Sequence, residues 1–597
     1  MTIVDRTHPA SPAVLLESCD GRPDSRSFRF TDLVEIIRAD SLDQVLSAFA
    51  AIEDAVARGY HAAGFVSYEA APALNPHLST APAADFPLLW FGIFTERETL
   101  CSDTRESASP ECQISPPELV SAGNDYLQAV DSIRQAIARG ETYQVNFTTR
   151  QRFRLTGDPA TLYRRICRNQ RAPYSAWIDN GSHLILSASP ELFFSLEGNR
   201  LTMRPMKGTA PRLPQAAADR EQRQRLALDP KERAENLMIV DLIRNDLGTI
   251  AETGSVQVPS LFDVETFPTV HQMTSTVSAT LSPETGITDI FRALFPCGSV
   301  TGAPKRRTME IIRELEDQPR GVYCGAIGYI SPGRDAAFSV AIRTAVIDAT
   351  TGHGELGIGS GITWSSDPAG ELQECLAKGA FLTRDDRDFS LIESIRYDEN
   401  GYLLLERHIN RLSTSAAYFG FSIDEGALRA RLDDLGQKLS GAHKVRLLLD
   451  ADGALDVEAE PITGAFLLPP LEDGGVQMVA LATRQVDSTD PFLYHKTTRR
   501  LFYDEERRNY PDCYDILFLN DCGEVTEGSY NNLVISLRGE LLTPAIDCGL
   551  LPGVLREELL EAGAIREARV TRDDLYAAER LWLINSVRGW RECKLIA

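Results

Sequence analysis

Arg204-Pro205-Met206-Lys207-Gly208-Thr209 places a lysine between a proline and a glycine at the end of an alternating segment. Upstream, Ser189-Pro190-Glu191-Leu192-Phe193-Phe194-Ser195-Leu196 alternates as a strand does. Glu197-Gly198-Asn199 has turn chemistry, and Arg200 to Arg204 reads as the returning strand. The spacing predicts a hairpin that carries Glu191 and Lys207 together. Such a pair sets a proton donor beside a nucleophilic amine, although an acid and a lysine on one hairpin are more often plain structure.

Outward from this hairpin the chain runs to 597 residues, beyond the size at which one core keeps growing, so at least two domains are expected. Lys plus Arg of 61 against Asp plus Glu of 85 gives a net charge of −24, which argues against nucleic acid or an anionic membrane as partner. No apolar run reaches the ~18 residues of a membrane span. Met1 to Ala10 lacks the apolar core of a signal peptide, and a cytoplasmic location is expected. The 11 cysteines are scattered without Cys-x-x-Cys pairs, which suits reduced thiols.

Leu42 to Arg58 reads as a helix, Ser102 to Pro117 as a loop, and Asp125 to Ala138 as a helix ending at Arg139-Gly140. Asp229 to Leu247 is a strong helical pattern with Leu237, Ile239, Val240, Leu242 and Ile243 as its expected buried face. Glu232 and Glu235 lie three apart on it, and Glu371 and Glu374 repeat that spacing on a helix starting near Pro368, with Lys378 one turn on. Each pair alone is normally a solvated face. Together, four carboxylates on two helices suit one hard cation such as Mg2+. Gly298-Ser299-Val300-Thr301-Gly302-Ala303-Pro304-Lys305 is a small-residue turn before a helix. Gly357-Ile358-Gly359-Ser360-Gly361 lacks dinucleotide-loop spacing.

Ser187-Ala188-Ser189-Pro190-Glu191, Pro205 to Thr209, Ala234-Glu235-Asn236 through Arg244-Asn245-Asp246, Gly302 to Lys305 and Gly359-Ser360-Gly361-Ile362 occur in the order found in chorismate-utilising enzymes. Over about 120–382 the chain resembles that family, which includes anthranilate synthase, isochorismate synthase and aminodeoxychorismate synthase components. Residues before 120 fit its N-terminal part, and Leu15-Leu16-Glu17-Ser18 resembles a segment that binds tryptophan in some members.

The resemblance implies a fold of two packed β-sheets with helices. It implies that Lys207 attacks the chorismate ring, where anthranilate synthases carry alanine, and that Glu191 protonates the departing hydroxyl. By the same likeness Glu235 and Glu374 ligate magnesium, with Glu232 and Glu371 nearby. Tyr323, Arg343 and the Gly359 amide bind the enolpyruvyl side chain, and His271, Ser299 and Thr209 lie near the ring.

A second domain is expected after the charged junction 383–390, covering 391–597. Leu391 to Leu405 and Lys444 to Glu460 read as hairpins, with helices near Ile409 to Phe419 and Asp424 to Leu439. Glu406-Arg407-His408-Ile409-Asn410-Arg411-Leu412, His495-Lys496-Thr497-Thr498-Arg499, Asn520 to Gly528 with Asn532, and Leu551-Pro552-Gly553-Val554-Leu555-Arg556 resemble fold type IV pyridoxal-phosphate enzymes, a two-subdomain α/β group. That likeness implies that Lys496 holds pyridoxal 5'-phosphate and moves the proton. Arg411, Gly553, Val554 and Ser586 would hold its phosphate, and Glu527 would pair with the pyridine nitrogen.

The two resemblances together imply para-aminobenzoate formation from chorismate and ammonia. No segment resembles a glutaminase, so a separate glutamine amidotransferase subunit is the implied ammonia source. A homodimer through the C-terminal domain is also possible. The alternatives are an anthranilate synthase joined to an aminotransferase, or a non-catalytic dimerisation or docking module at the C-terminus.

Overall fold

The computed structural model describes residues 13–22, 26–83, 85–100, 112–120, 123–384, 389–463, 466 and 475–596. Met1 to Ala10, most of the Ser102 to Pro117 loop and half of the 383–390 junction lie outside them. The chain forms two compact units, 1–211 with 223–386 and 212–222 with 387–597. Both are mixed α/β, as expected. In the second unit Arg212 sits in a largely buried pair with Asp219, 2.9 and 2.7 Å to its two carboxylate oxygens, and donates to the Tyr418 carbonyl at 2.9 Å.

In the first unit the strands join into one network of nineteen. The hairpin forms from Leu192–Glu197 and Arg200–Arg204, turning at Gly198 with φ 60°. Its last pair is Leu192 opposite Arg204. Pro205 has no N–H to offer the ladder, and Lys207 belongs to a separate strand, Met206–Pro211, paired with Val270–Thr280. Glu191 and Lys207 therefore flank the open end of the hairpin, away from the Gly198 turn, instead of lying on it, a correction to the sequence reading.

The helix Pro230–Gly248 starts where Asp229 caps the amides of Lys231 and Glu232 and proline occupies its first turn. Asn236, Ile239, Val240, Ile243 and Leu247 form its buried stripe. Leu237, expected in that face, is 43% exposed, since it lies about 100° round the helix from Asn236. The strand His353–Ile362 pairs along its whole length with Gln144–Gly157. The helix Pro368–Gly379, capped by Asp367, carries Glu371, Glu374 and Lys378.

The second unit has two sheets. One has four strands and orders Gly401–Tyr402, Leu391–Asp398, His443–Leu449 and Leu455–Pro461, with the helices Leu405–Phe419 and Glu425–Gly436 sharing its core. The other has eight strands, among them Asp515–Leu519, Val525–Gly528, Asn532–Leu537 and Arg580–Asn585. The Ile392 amide donates to the Lys496 carbonyl at 3.0 Å, and the Thr498 amide to Ser390 at 2.9 Å. These bonds lay the Lys496 segment along the first sheet.

Candidate active sites

In the first unit Lys207 Nζ stands 3.3 Å from Glu235 Oε2. Its carbonyl accepts from Asn236 Nδ2 at 2.9 Å, and Asn236 Oδ1 accepts from Ser275 at 2.6 Å. One helix thus supplies both the counter-charge of the lysine and the bond that fixes its backbone. Gly361 is bare where the lysine ends: a Cβ there would lie 2.4 Å from Lys207 Nζ and 2.6 Å from Gln144 Nε2.

Glu191 is 3% exposed, and its Oε1 is buried without a partner among the described residues. Burial pushes its carboxyl up to about 7, against the opposing pull of Ser299, the Met206 amide and the Lys207 charge. A buried acid kept partly protonated near neutrality, with one oxygen free, is equipped to deliver a proton. Ser299 also donates to Cys297 Sγ at 3.2 Å. Burial and the Glu191 charge push the Cys297 thiol up to about 12, leaving it inert.

Arg343 holds a left-handed φ of 52°, donates to the Lys378 carbonyl and lies 5.9 Å over Phe381. Burial lowers its guanidinium to about 10, opposed by Tyr323 and Glu374. The Tyr323 ring covers Gly357, where a Cβ would come within 2.3 Å of it. Lys378 Nζ reaches Glu374 at 2.6 Å and the Gly359 carbonyl at 3.0 Å. Gly359 itself is closed on its other side, since a Cβ there would lie 2.8 Å from the Phe147 carbonyl.

Two further expected residues have partners within the protein. His271 Nδ1 bonds Thr266 at 3.1 Å, and the Thr209 hydroxyl donates to Gln272 at 2.9 Å from an exposed position.

The carboxylates offered for magnesium are hard oxygen donors, which suits that ion. Among the described residues, however, no three His, Cys, Asp or Glu side chains gather closely enough to hold a metal. Glu235 is neutralised by Lys207, with Lys231 at 3.9 Å, and Glu374 by Lys378. Burial raises Glu374, but Lys378, Lys207 and Arg343 outweigh it and leave it below the usual range. Burial and the Glu235 charge raise Glu232. Glu371 lies in the first turn of the helix Pro368–Gly379.

In the second unit Lys496 is pushed down to about 8, by burial first and then by the charge of Arg411, against the pull of Glu393. Arg411 meets Glu393 through two parallel bonds of 2.8 and 2.6 Å and donates to the Pro552 carbonyl at 3.0 Å. That leaves the fork aimed, with N–H groups to spare. His408 Nδ1 bonds the same carboxylate at 2.7 Å, and its Nε2 is buried without a partner among the described residues. Burial raises Glu393, but Arg411 and His408 prevail and hold it at about 2.

Glu527 accepts from the Leu551 amide at 3.0 Å and from Asn532 Nδ2 at 2.9 Å. Burial pushes it up to about 8, against the Leu551 amide and the charges of Arg500 and Lys496. Gly553 precedes the helix Val554–Glu561, and a Cβ on it would lie 1.8 Å from Asn532 Oδ1. Ser586 is 8% exposed in the turn after Arg580–Asn585. A buried lysine held near neutrality, a buried acid and a helix start closed by glycine fit pyridoxal phosphate: an amine for its aldehyde, an acid for its ring nitrogen and amides for its phosphate.

A model of the chorismate binding enzyme family matches residues 11–384. The chain belongs to the chorismate binding enzyme family. A second model, amino-transferase class IV, matches residues 390–596. Over 254 residues the chorismate-binding part is 46% identical to aminodeoxychorismate synthase component 1 of Klebsiella aerogenes, covering 42% of this chain and 56% of that protein. It is 40% identical over 260 residues to anthranilate synthase component 1 of Streptomyces coelicolor, covering 43% of this chain and 50% of that protein. The chain therefore spans about half the length of the curated relatives it matches. The crystal structure of anthranilate synthase component I from Streptococcus pneumoniae superposes with a TM-score of 0.53 at 27% identity, over 61% of this chain and 93% of that one.

Gln144, Asn236 and Lys378 were missed as functional residues by the sequence reading. Gln144 is 1% exposed, its Oε1 is unpaired among the described residues, and its Nε2 shares with the lysine amine the space left by Gly361. Its sequence signal was a polar residue between Tyr143 and Val145 at a strand entry. Asn236 stood inside a quoted motif but reads as an ordinary helical asparagine until its contact with the Lys207 carbonyl is seen.

Proposed function

We propose that the protein makes para-aminobenzoate in two steps. The first unit would convert chorismate and ammonia to 4-amino-4-deoxychorismate, and the second would eliminate pyruvate from that product. The carrying observation is Lys207: a lysine amine, backbone-fixed by Asn236, beside the buried, partly protonated Glu191. An anthranilate synthase needs no nucleophile of its own there, which is why the lysine favours the aminodeoxychorismate branch between the two kinds of relative.

Lys207 attacks the ring of chorismate while Glu191 gives its proton to the 4-hydroxyl, which leaves as water. Ammonia then displaces the lysine at carbon 4, so chorismate and ammonia become 4-amino-4-deoxychorismate and water. Arg343 and Tyr323 receive the enolpyruvyl carboxylate, Ser299 orients Glu191, and His271 and Thr209 support the strand beside the ring. Glu235 and Glu374 would hold magnesium, with Glu232 and Glu371 alongside, and the ion would supply positive charge to the ring carboxylate.

In the second unit Lys496 and Glu527 would bind pyridoxal phosphate at its aldehyde and ring nitrogen, and Arg411, the Gly553 and Val554 amides and Ser586 at its phosphate. The cofactor supplies an electron sink when bound. Lys496, whose amine burial pushes down to about 8, is the base that takes the proton from carbon 4 and passes it to the departing enolpyruvate, which leaves as pyruvate. Support for a lyase over an aminotransferase is the fusion, since the first product is the second substrate. A component 1 relative implies a glutamine amidotransferase partner, and a cytoplasmic location and a homodimer through the second unit accord with this reading. The test is product identification from chorismate, ammonium and magnesium.

A further inference from the structure

Asp515 opens the strand Asp515–Leu519 and is wholly buried. Nothing in the chemistry above uses it, yet a whole turn of the chain is arranged around its carboxylate. Oδ1 accepts from the Ser529 amide at 3.0 Å, from the Ser529 hydroxyl, and from the Ile516 amide at 2.9 Å. Oδ2 accepts from Asn531 Nδ2 at 2.6 Å and the Tyr530 amide at 3.3 Å. Arg507, 3.7 Å away, supplies the opposite charge. A Cβ on Gly528 would stand 2.6 Å from Oδ2, so glycine is the residue that admits the carboxylate.

The sequence Gly528-Ser529-Tyr530-Asn531 is thus written around one buried acid. Burying a carboxylate costs several kcal/mol unless its lone pairs are filled, and here they are. The turn it fixes has Glu527 at one end and Asn532 at the other, and Asn532 bonds Glu527 directly. A second arm runs the other way. Asn531 Oδ1 accepts from Asn585 Nδ2 at 2.5 Å, and Asn585 Oδ1 takes the Val587 and Arg588 amides at 2.9 and 2.8 Å, closing the turn that holds Ser586.

We propose that Asp515 is a positioning residue of the second site: its carboxylate sets the 528–531 turn, which aims Glu527, and through Asn531 and Asn585 it ties that turn to the Ser586 turn. Asp515 thereby fixes the span between the ring-nitrogen and phosphate contacts of the cofactor. This rests on the reading that the second unit binds pyridoxal phosphate.

Full-length Asp515→Asn, Gly528→Ala, Asn531→Ala and Asn585→Ala are titrated with pyridoxal phosphate and with phosphate-free pyridoxal, following the visible absorption of the bound cofactor, with Tm measured in parallel. Asp515→Asn and Gly528→Ala weaken both ligands on the order of tenfold, as outer-shell partners do in other cofactor sites. Asn585→Ala weakens the phosphorylated ligand alone. In a Glu527→Gln background, Asp515→Asn adds less than about threefold to the loss for phosphate-free pyridoxal, because for that ligand its effect passes through Glu527. Folded Asp515→Asn with wild-type affinity, or the full loss for phosphate-free pyridoxal persisting in the Glu527→Gln background, overturns the proposal. If Asp515→Asn does not fold, wild-type affinity in folded Gly528→Ala and Asn531→Ala overturns it instead. A wild-type protein that binds neither ligand overturns the cofactor reading itself and this inference with it.

Discussion

The Lys207 amine occupies the space that a side chain on Gly361 would fill: a Cβ there would lie 2.4 Å from Nζ. Gly361 leaves room for that amine, and Asn236 fixes the backbone of the lysine by donating to its carbonyl. Gly361→Ala forces the amine aside, and a displacement of about 1 Å at a reacting centre costs on the order of 100-fold in rate. We expect that loss in ammonia-dependent turnover of chorismate with Tm unchanged, measured by discontinuous product assay and thermal unfolding. Full activity in Gly361→Ala would place the reacting nitrogen elsewhere.

Glu191 titrates at about 7 because it is buried, and its acid form is the working form. Corrected for the changing neutral fractions of ammonia and of the Lys207 amine, the first reaction should therefore hold its rate below that pH and fall about tenfold per unit above it, until substrate shifts the value. Since the folded value lies above the ordinary 4.5, the stability Glu191 contributes is present below 4.5 and lost as pH climbs through about 7. Glu191→Gln should remove both the alkaline limb of the rate and that slope in stability. An unchanged alkaline limb in Glu191→Gln assigns the acid to another group.

Glu235 and Glu374 are the carboxylates held by Lys207 and Lys378. Replacing either with glutamine removes a charged oxygen donor and should raise the magnesium concentration for half-maximal activity at least about tenfold. Magnesium titration of both variants checks this. Unchanged midpoints in both put the ion elsewhere.

Lys496→Ala removes the base of the second unit and leaves every residue of the first untouched. With chorismate, ammonium and magnesium, this variant should accumulate 4-amino-4-deoxychorismate, release little pyruvate and lose the visible colour of bound cofactor. Adding a separate active lyase should restore para-aminobenzoate. Wild-type para-aminobenzoate formation by Lys496→Ala, in a preparation free of other lyases, would make the second unit a docking module.

Lys207, Glu191 and Lys496 stood out in the sequence through the families that their motifs resemble, whereas residue type and local spacing alone read as ordinary structure at each of them. The strands and helices around them were legible too, because each carries its own period and caps, as Asp229 and Pro230 do. What was not legible depends on contacts far apart in the chain. Asn236 earns its place through Lys207 and Ser275, Gln144 through Gly361, and Asp515 through a turn thirteen residues on. The break at Pro205 was visible as a proline but its consequence, moving Lys207 onto a third strand, required the pairing with Val270–Thr280. Thr209 was placed near the ring by likeness, and only the fold shows its hydroxyl engaged by Gln272.

The most direct test of a lysine-dependent amination coupled to pyruvate elimination is mass-spectrometric identification of the aromatic product formed by the purified, cofactor-loaded protein from chorismate, ammonium and magnesium. We expect para-aminobenzoate with one pyruvate per ring, and no such product from Lys207→Ala. Anthranilate as the aromatic product would contradict the assignment of both units.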